Sequence, residues 1–131
     1  MNQVVAHFLD GRVAKGTTNN FLPAKDRFHL VPLGSSISAK PSEVLLVELK
    51  ALFFVKDLRG NPNYQERVGE GSRAGMGRRV RVVFKDGEQL EGTTQGYQPG
   101  RPGFFLVPLD PESNNERCFV VSSSTQSVTL L

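Results

Sequence analysis

The stretch that decides the fold is VVAHFLDGRVAKGTTNNFLPAKDRFHLVPL, residues 4–33, because it recurs as VRVVFKDGEQLEGTTQGYQPGRPGFFLVPL at residues 80–109. The two stretches align without a gap at an offset of 76 residues, and 13 of their 30 positions are identical. Self-similarity at a fixed spacing is the signature of a repeated structural unit. We therefore expect residues 1–57 and 79–131 to be two copies of one domain, with small alignment gaps beyond residue 33.

Each copy predicts five short strands. Its first strand alternates apolar and more polar residues with a period of two, which marks a half-buried strand. In the first copy Asp10-Gly11 then predicts a hairpin turn, because glycine accepts positive φ, and Gly16 predicts a bend or bulge. Phe28–Leu33 is the expected third strand. Strands four and five follow, although a single helix over residues 43–55 is an alternative.

The predicted architecture is all-β. Five short strands with a curled hairpin describe a small barrel, and a unit this small is marginally stable alone. We therefore expect two five-stranded barrels that pack together with pseudo-twofold symmetry. Residues 58–78 have no counterpart in the repeat and are rich in glycine and arginine, which is typical of a flexible linker.

The opening of each copy resembles the Sm-like small barrels. The runs GRRVRVVFKDGEQLEG (Gly77–Gly92) and VVAHFLDGRVAKG (Val4–Gly16) share an alternating strand, an Asp-Gly turn and a glycine late in strand two. The resemblance implies two Sm-like folds. It does not imply RNA binding, because residues 109–112 and 122–127 lack that family's base-binding features. The duplicated pattern is also similar to an uncharacterised bacterial family of paired small barrels, which brings no known activity.

Composition excludes several classes of protein. The chain has 131 residues and a net charge of +3, with a pI near 9.3, so an anionic partner is permitted but not required. The single cysteine, Cys118, excludes an internal disulfide and a cysteine-rich metal site; it aligns with Val44 and is expected to be buried. The two histidines lack further ligands nearby, so we expect no metal and no cofactor.

The sequence does not predict an enzyme. Its acidic residues are scattered without a spaced acid–base pair, and no serine stands in a Gly-x-Ser-x-Gly context. No apolar run approaches the ~20 residues of a membrane span, and no signal peptide is visible. We therefore expect a cytoplasmic protein without a membrane span.

The loop after strand two is the first candidate binding surface. It carries Phe21, Lys25 and Arg27 in the first copy and Tyr97 and Arg101 in the second. An aromatic ring beside a cation can stack on a base or a side chain while the cation holds a carboxylate or phosphate. The alternative is that both aromatic residues only cap the end of a barrel.

The arginines Arg73, Arg78, Arg79 and Arg81 form the second candidate surface. The glycines around them leave backbone N–H groups able to bind an anion, and an arginine guanidinium can form two parallel hydrogen bonds with a phosphate. Glycine mixed with arginine is also ordinary linker composition, so a simple tether is the alternative.

The function expected from these features is that of a non-catalytic binding or regulatory module acting through protein–protein interaction. The alternative is an anion-binding module for RNA, DNA or a cyclic nucleotide, which would use the Arg73–Arg81 segment and the loop aromatics. The expected partner is another protein, with a nucleic acid or nucleotide as the alternative. Exposed sheet edges also allow a homodimer.

Overall fold

Ten strands form one open antiparallel sheet in the computed structural model, which describes residues 2–34, 40–58, 77–110 and 112–131. The first half contributes β1 (Asn2–Phe8), β2 (Val13–Thr18), β3 (Arg27–Pro32), β4 (Ser42–Leu45) and β5 (Leu49–Val55). The second half contributes β6 (Arg78–Phe84), β7 (Gln89–Thr94), β8 (Gly103–Pro108), β9 (Asn115–Val121) and β10 (Thr125–Leu130). The all-β prediction is confirmed, and the alternative helix over residues 43–55 is wrong.

The strand order explains how the halves are joined. It runs β10-β6-β7-β8-β9-β5-β1-β2-β3-β4, so the fifth strand of each half lies beside that half's first strand. The two halves meet where β9 pairs with β5, and β10 and β4 are the end strands. The sheet is therefore not closed, and the two closed five-stranded barrels expected from the sequence are not confirmed. Instead, β5 bonds to a strand of the other half.

The pairing registers of the two halves are the same at an offset of 76. The equivalent pairs include Val4↔Phe54 with Val80↔Leu130, and Phe28↔Val44 with Phe104↔Val120. Even the register shift between the first and fifth strands recurs at the equivalent position in each half. The expected alignment gaps beyond residue 33 are therefore wrong, because one offset relates the halves from the first strand to the fifth.

Both Asp-Gly hairpins form as predicted. Gly11 and Gly87 have the same positive φ of 93°, a conformation that glycine adopts without a steric penalty. The Oδ1 atom of Asp10 accepts a hydrogen bond from the Arg12 N–H at 3.0 Å, and Asp86 accepts the equivalent bond in the second hairpin. The aspartate and the glycine therefore have separate roles in each turn.

Glycine in the second strand of each half allows a close approach. A Cβ atom on Gly92 would collide with the carbonyl oxygen of Val107 and lie 2.5 Å from Leu106 Cδ2, and one on Gly16 would collide with the Val31 carbonyl oxygen. No register shift occurs at either glycine, so of the predicted bend or bulge the bulge is wrong. The glycine is required because the third strand crosses too near for a side chain.

Two hydrophobic clusters form the core. The buried members of the first are Val4, Ala6, Phe28, Leu30, Val44, Leu46, Leu49, Leu52, Phe54, Phe119 and Val121. Those of the second are Ala51, Val80, Val82, Phe84, Phe104, Leu106, Cys118 and Val120. Each cluster draws residues from both halves of the chain. The predicted burial of Cys118 is confirmed.

Candidate functional site

The pairing of β5 with β9, here called the seam, places one strand of each half between the two clusters. In the register, Leu52 is opposite Phe119 and Phe53 is opposite Cys118. Leu52 and Phe119 belong to the first cluster, whereas Cys118 belongs to the second and Phe53 packs against it. Because successive side chains point to opposite faces of a sheet, the two cores lie on opposite faces of the seam.

Aromatic side chains from both halves meet at the seam. The ring of Phe21 lies 5.1 Å from Phe119 and 6.3 Å from Phe105, both carried by the second half. Phe105 also lies 6.0 Å from Phe54, and the Arg117 guanidinium lies 4.5 Å from the centre of the Phe54 ring. Such aromatic pairs contribute roughly 0.5–1.5 kcal/mol each beyond their buried area. The second half therefore supplies the cover of the first half's core.

A polar contact also joins the two halves. Lys50 Nζ lies 2.8 Å from Asp86 Oδ2 and 2.9 Å from Glu88 Oε1, and it stands 4.7 Å from the centre of the Phe84 ring. Burial lowers the pKa of Lys50, but its hydrogen bonds to the two carboxylates outweigh burial and raise the pKa above its usual value. The bond from Lys50 likewise lowers the pKa of Asp86. The lysine is thus held in its charged form against the second hairpin.

The candidate loop of the first half divides between core and solvent. Phe21 packs into the first cluster, as the capping alternative expects. Lys25 is exposed, and Arg27 is exposed with ion pairs to Asp26 at 3.2 Å and Glu43 at 3.4 Å. The aromatic ring of this loop therefore belongs to the core, whereas its two cations are exposed.

The arginines of the second candidate surface do not converge in the part of the chain that is described. Arg73 lies outside the described residues. Arg78 is exposed on the face of β6 that carries the buried valines, whereas Arg79 and Arg81 lie on the opposite face. Arg81 is bonded to Glu91 at 3.1 Å. The three described arginines therefore lie on two different faces of β6.

In the second half, Tyr97 and Arg101 are also separate. The Tyr97 ring lies 4.9 Å from Phe104, and Tyr97 and Leu130 both line a cavity of about 350 Å³. Arg101 is exposed and donates to Gln98 Oε1 at 2.7 Å. Of the two, it is Tyr97 that both contacts the core residue Phe104 and borders this cavity.

Sequence reasoning missed the seam residues Phe105, Phe119 and Arg117. A signal for them exists in the repeat, because at the offset of 76 the counterpart of Phe105 is His29 and that of Phe119 is Glu43. An aromatic residue in one copy that becomes polar in the other marks a position where the two copies have different neighbours. The misplaced gaps beyond residue 33 concealed the second of these differences.

The outer edge of β10 has unpaired backbone groups in the described part of the chain, where β6 is its one neighbouring strand. The Leu131 N–H donates to the Arg79 carbonyl at 2.9 Å. Since the bonding direction alternates along an antiparallel strand, the backbone groups of Val128 and Leu130 point away from β6. They form a free edge equivalent to the edge of β5 that binds β9.

The outer edge of β4 is the second free edge among the described strands, because β3 is its one neighbour there. The Leu46 N–H donates to the Asp26 carbonyl at 2.9 Å, so by the same alternation the backbone groups of Glu43 and Leu45 point outward. A cavity of about 480 Å³ lies beside this edge. Its apolar lining residues are Phe8, Val13, Ala14, Leu30, Pro32, Leu33 and Val44.

Among residues 2–34, 40–58, 77–110 and 112–131, no three His, Cys, Asp or Glu side chains are grouped so that they could hold a metal ion. Within these ranges no helix has the length and apolar character needed to cross a membrane.

Comparison with known proteins assigns the chain to a family. The model of a family of unknown function, DUF6982, matches residues 1–131, so the chain belongs to that family. No curated protein and no solved structure matches the chain.

Proposed function

We propose that this chain is a non-catalytic protein-interaction module that binds an extended segment of another protein as an added strand. The observation that carries the proposal is the seam, where an edge built by the fifth strand of one half binds a strand of the other half. The second half presents the equivalent edge, on β10, without a neighbouring described strand. Main-chain hydrogen bonds supply affinity in this binding mode, and pockets for alternate side chains supply specificity.

Apolar surface at both free edges supports the proposal. On β10, Leu130 is 37% exposed, whereas its counterpart Phe54, which is covered at the seam, is 4% exposed. Beside β4, Leu33 is 60% exposed and borders the 480 Å³ cavity. Exposed apolar groups next to unpaired backbone groups are a template for another strand.

The anion-binding alternative has less support from the geometry. Arg81 forms an ion pair with Glu91. Arg27 forms ion pairs with Asp26 and Glu43. Convergent charged donors favour phosphate binding, whereas the described arginines of β6 lie on two faces of the strand. If an anion were the ligand, its affinity would fall steeply between roughly 50 and 200 mM salt.

The proposal is tested with edge-blocking variants. Random peptides about 10 residues long, the span of one strand, are selected by display against the full chain, and their affinities are measured by fluorescence anisotropy. Leu130→Pro removes the outward N–H of β10, and Glu43→Pro removes that of β4, while the inward bonds to β6 and β3 remain. Proline is tolerated on an edge strand at positions whose N–H faces solvent.

We expect the selected peptides to lose binding to at least one of the two proline variants, with thermal melts showing that both variants remain folded. Peptides that bind both variants as tightly as the parent chain would contradict strand addition. Failure to select any peptide that binds would contradict it as well. Binding that weakens steeply as salt is added, and that is unchanged in both proline variants, would favour the anion-binding alternative.

A further inference from the structure

The seam shows what an occupied edge looks like. There the backbone of Leu52 and Phe54 is directed toward β9, and Lys56 N–H donates to the Asn114 carbonyl at 2.8 Å along the same edge. Phe119 projects from β9 onto Phe21, and Leu52, opposite Phe119, is fully buried. One incoming strand thus supplies both hydrogen bonds and an aromatic cover.

Among the described residues, the second half repeats this site without a strand that covers it. Tyr97 takes the position of Phe21, Leu130 that of Phe54, and Val128 that of Leu52, all at the offset of 76. Val128 is half-buried, whereas Leu52 is fully buried. The cavity of about 350 Å³ opens at this edge. Its lining residues are Gly77, Arg78, Thr94, Gln95, Tyr97 and Leu130.

A second copy of this chain does not fit the site. Its free β4 edge would present Glu43 where the seam presents Phe119, and His29 on β3 where the seam presents Phe105. Docking in the register of the seam would place the Glu43 carboxylate opposite Val128 and against Tyr97, where the seam places the Phe119 ring opposite Leu52 and against Phe21. Burying a carboxylate among apolar groups is strongly unfavourable. The occupant is therefore a strand that carries an apolar residue at this position.

The charge at the rim of the 350 Å³ cavity adds a second requirement for the segment that binds at the β10 edge. At the seam, Asn2 and Glu116 line one small cavity together with Lys56 and Arg117, so this position of the incoming strand borders the same cavity as Asn2. The counterpart of Asn2 in the second half is Arg78, an exposed residue that lines the 350 Å³ cavity. An acidic residue three positions before the apolar one would meet that guanidinium.

We propose that the β10 edge binds an extended segment of a different protein, with an aromatic residue that lies opposite Val128 and covers Tyr97, and an acidic residue three positions earlier that faces Arg78. This inference rests on the proposed function and narrows it to one edge and one class of segment. Aromatic anchors that fill a pocket supply most of the affinity in such interfaces.

The probe is a peptide that copies the seam. Residues 114–122 of this chain, with Cys118→Ser to prevent oxidation, carry Phe119 and Glu116 at the required spacing. The fluorescein-labelled peptide is titrated into the full chain, and the binding site is located from backbone amide shifts. A matched control peptide carries Phe119→Glu and so imitates β4.

We expect saturable binding with amide shifts in β10, β6 and Tyr97. The Phe119→Glu peptide should bind about tenfold more weakly or worse, since loss of an anchor exceeds the roughly 1.4 kcal/mol of one decade in affinity. Leu130→Asp in the protein should weaken binding similarly, and Arg78→Gln should do so to a smaller extent. Leu9→Asp, at an exposed leucine of the first hairpin, should have no effect.

Several results would overturn the inference. Equal binding of the two peptides, or shifts confined to β5 and β1 because the peptide displaces β9, would remove the β10 site. Concentration-dependent association of the free chain that Leu130→Asp abolishes would assign the edge to a second copy. If display-selected peptides bind at β4 alone, this inference fails while the proposed function stands; if no peptide depends on either edge, both fail.

Discussion

Phe119→Ala should destabilise the half of the molecule that does not contain it. Phe119 is 1% exposed and packs with Phe21 and Phe105, with ring centres 5.1 and 5.2 Å apart. Truncation of a buried phenylalanine to alanine costs about 3–5 kcal/mol, a large fraction of the roughly 5–15 kcal/mol that stabilises a typical domain. We expect a loss of about 3–4 kcal/mol in the free energy of unfolding, measured by urea denaturation.

The matched control is Glu43→Ala, at the equivalent position of the first half. Glu43 is exposed, so its truncation should change the free energy of unfolding by about 0.5 kcal/mol or less. Amide hydrogen exchange should show that Phe119→Ala increases opening in β1 and β5 as well as in β9. A cost below about 1 kcal/mol, or increased exchange confined to the second half, would refute the argument that the halves share a core.

The remaining predictions concern the same packing. A fragment of residues 1–57 should fail to give a cooperative melt, because it lacks β9 and the aromatic cover of its core; a reversible transition near that of the whole chain would show an independent domain. Gly92→Ala should cost about 1–3 kcal/mol in chemical denaturation because its Cβ meets the third strand, whereas Gly96→Ala, with nothing within 4 Å, should be nearly neutral. Burial lowers the pKa of His7 below its usual 6.5, so the unfolded state binds a proton more readily than the folded state does. The contribution of neutral His7 to the free energy of unfolding is therefore complete above pH 6.5 and is lost as the pH falls. His7→Gln should therefore reduce the loss of stability between pH 7.5 and 5.5 in parallel urea titrations; an unchanged pH dependence would contradict the assignment.

Local features were predictable because neighbouring residues determine them. The Asp10-Gly11 turn requires one residue at positive φ, and the alternating apolar residues of β1 require one buried face. The counterpart features at an offset of 76 confirmed each assignment within the sequence itself. The burial of Cys118 was predicted from an alignment with Val44, whereas at the offset of 76 its counterpart is Ser42, which is exposed.

The seam was not predictable in the same way. β5 and the second part of β9, residues 118–121, are almost continuously apolar and are buried on both faces. A strand of this kind lacks the alternation that indicates which face points inward. Gaps placed in the alignment then concealed that Phe119 corresponds to Glu43. Phe21 and Tyr97 hold equivalent positions in the repeat, so the sequence did not indicate that Phe21 is covered by the other half while Tyr97 borders a cavity.

By itself the sequence determined a duplicated pattern, ten short strands with their hairpins, and the residues able to build a core. The tertiary structure alone decided that β5 binds β9, that the sheet stays open, and that β10 and β4 end it in the described chain. The reason is physical. A backbone edge offers the same donors and acceptors to any strand, so the choice of partner depends on which distant side chains pack across it, and that packing exists only in the folded chain.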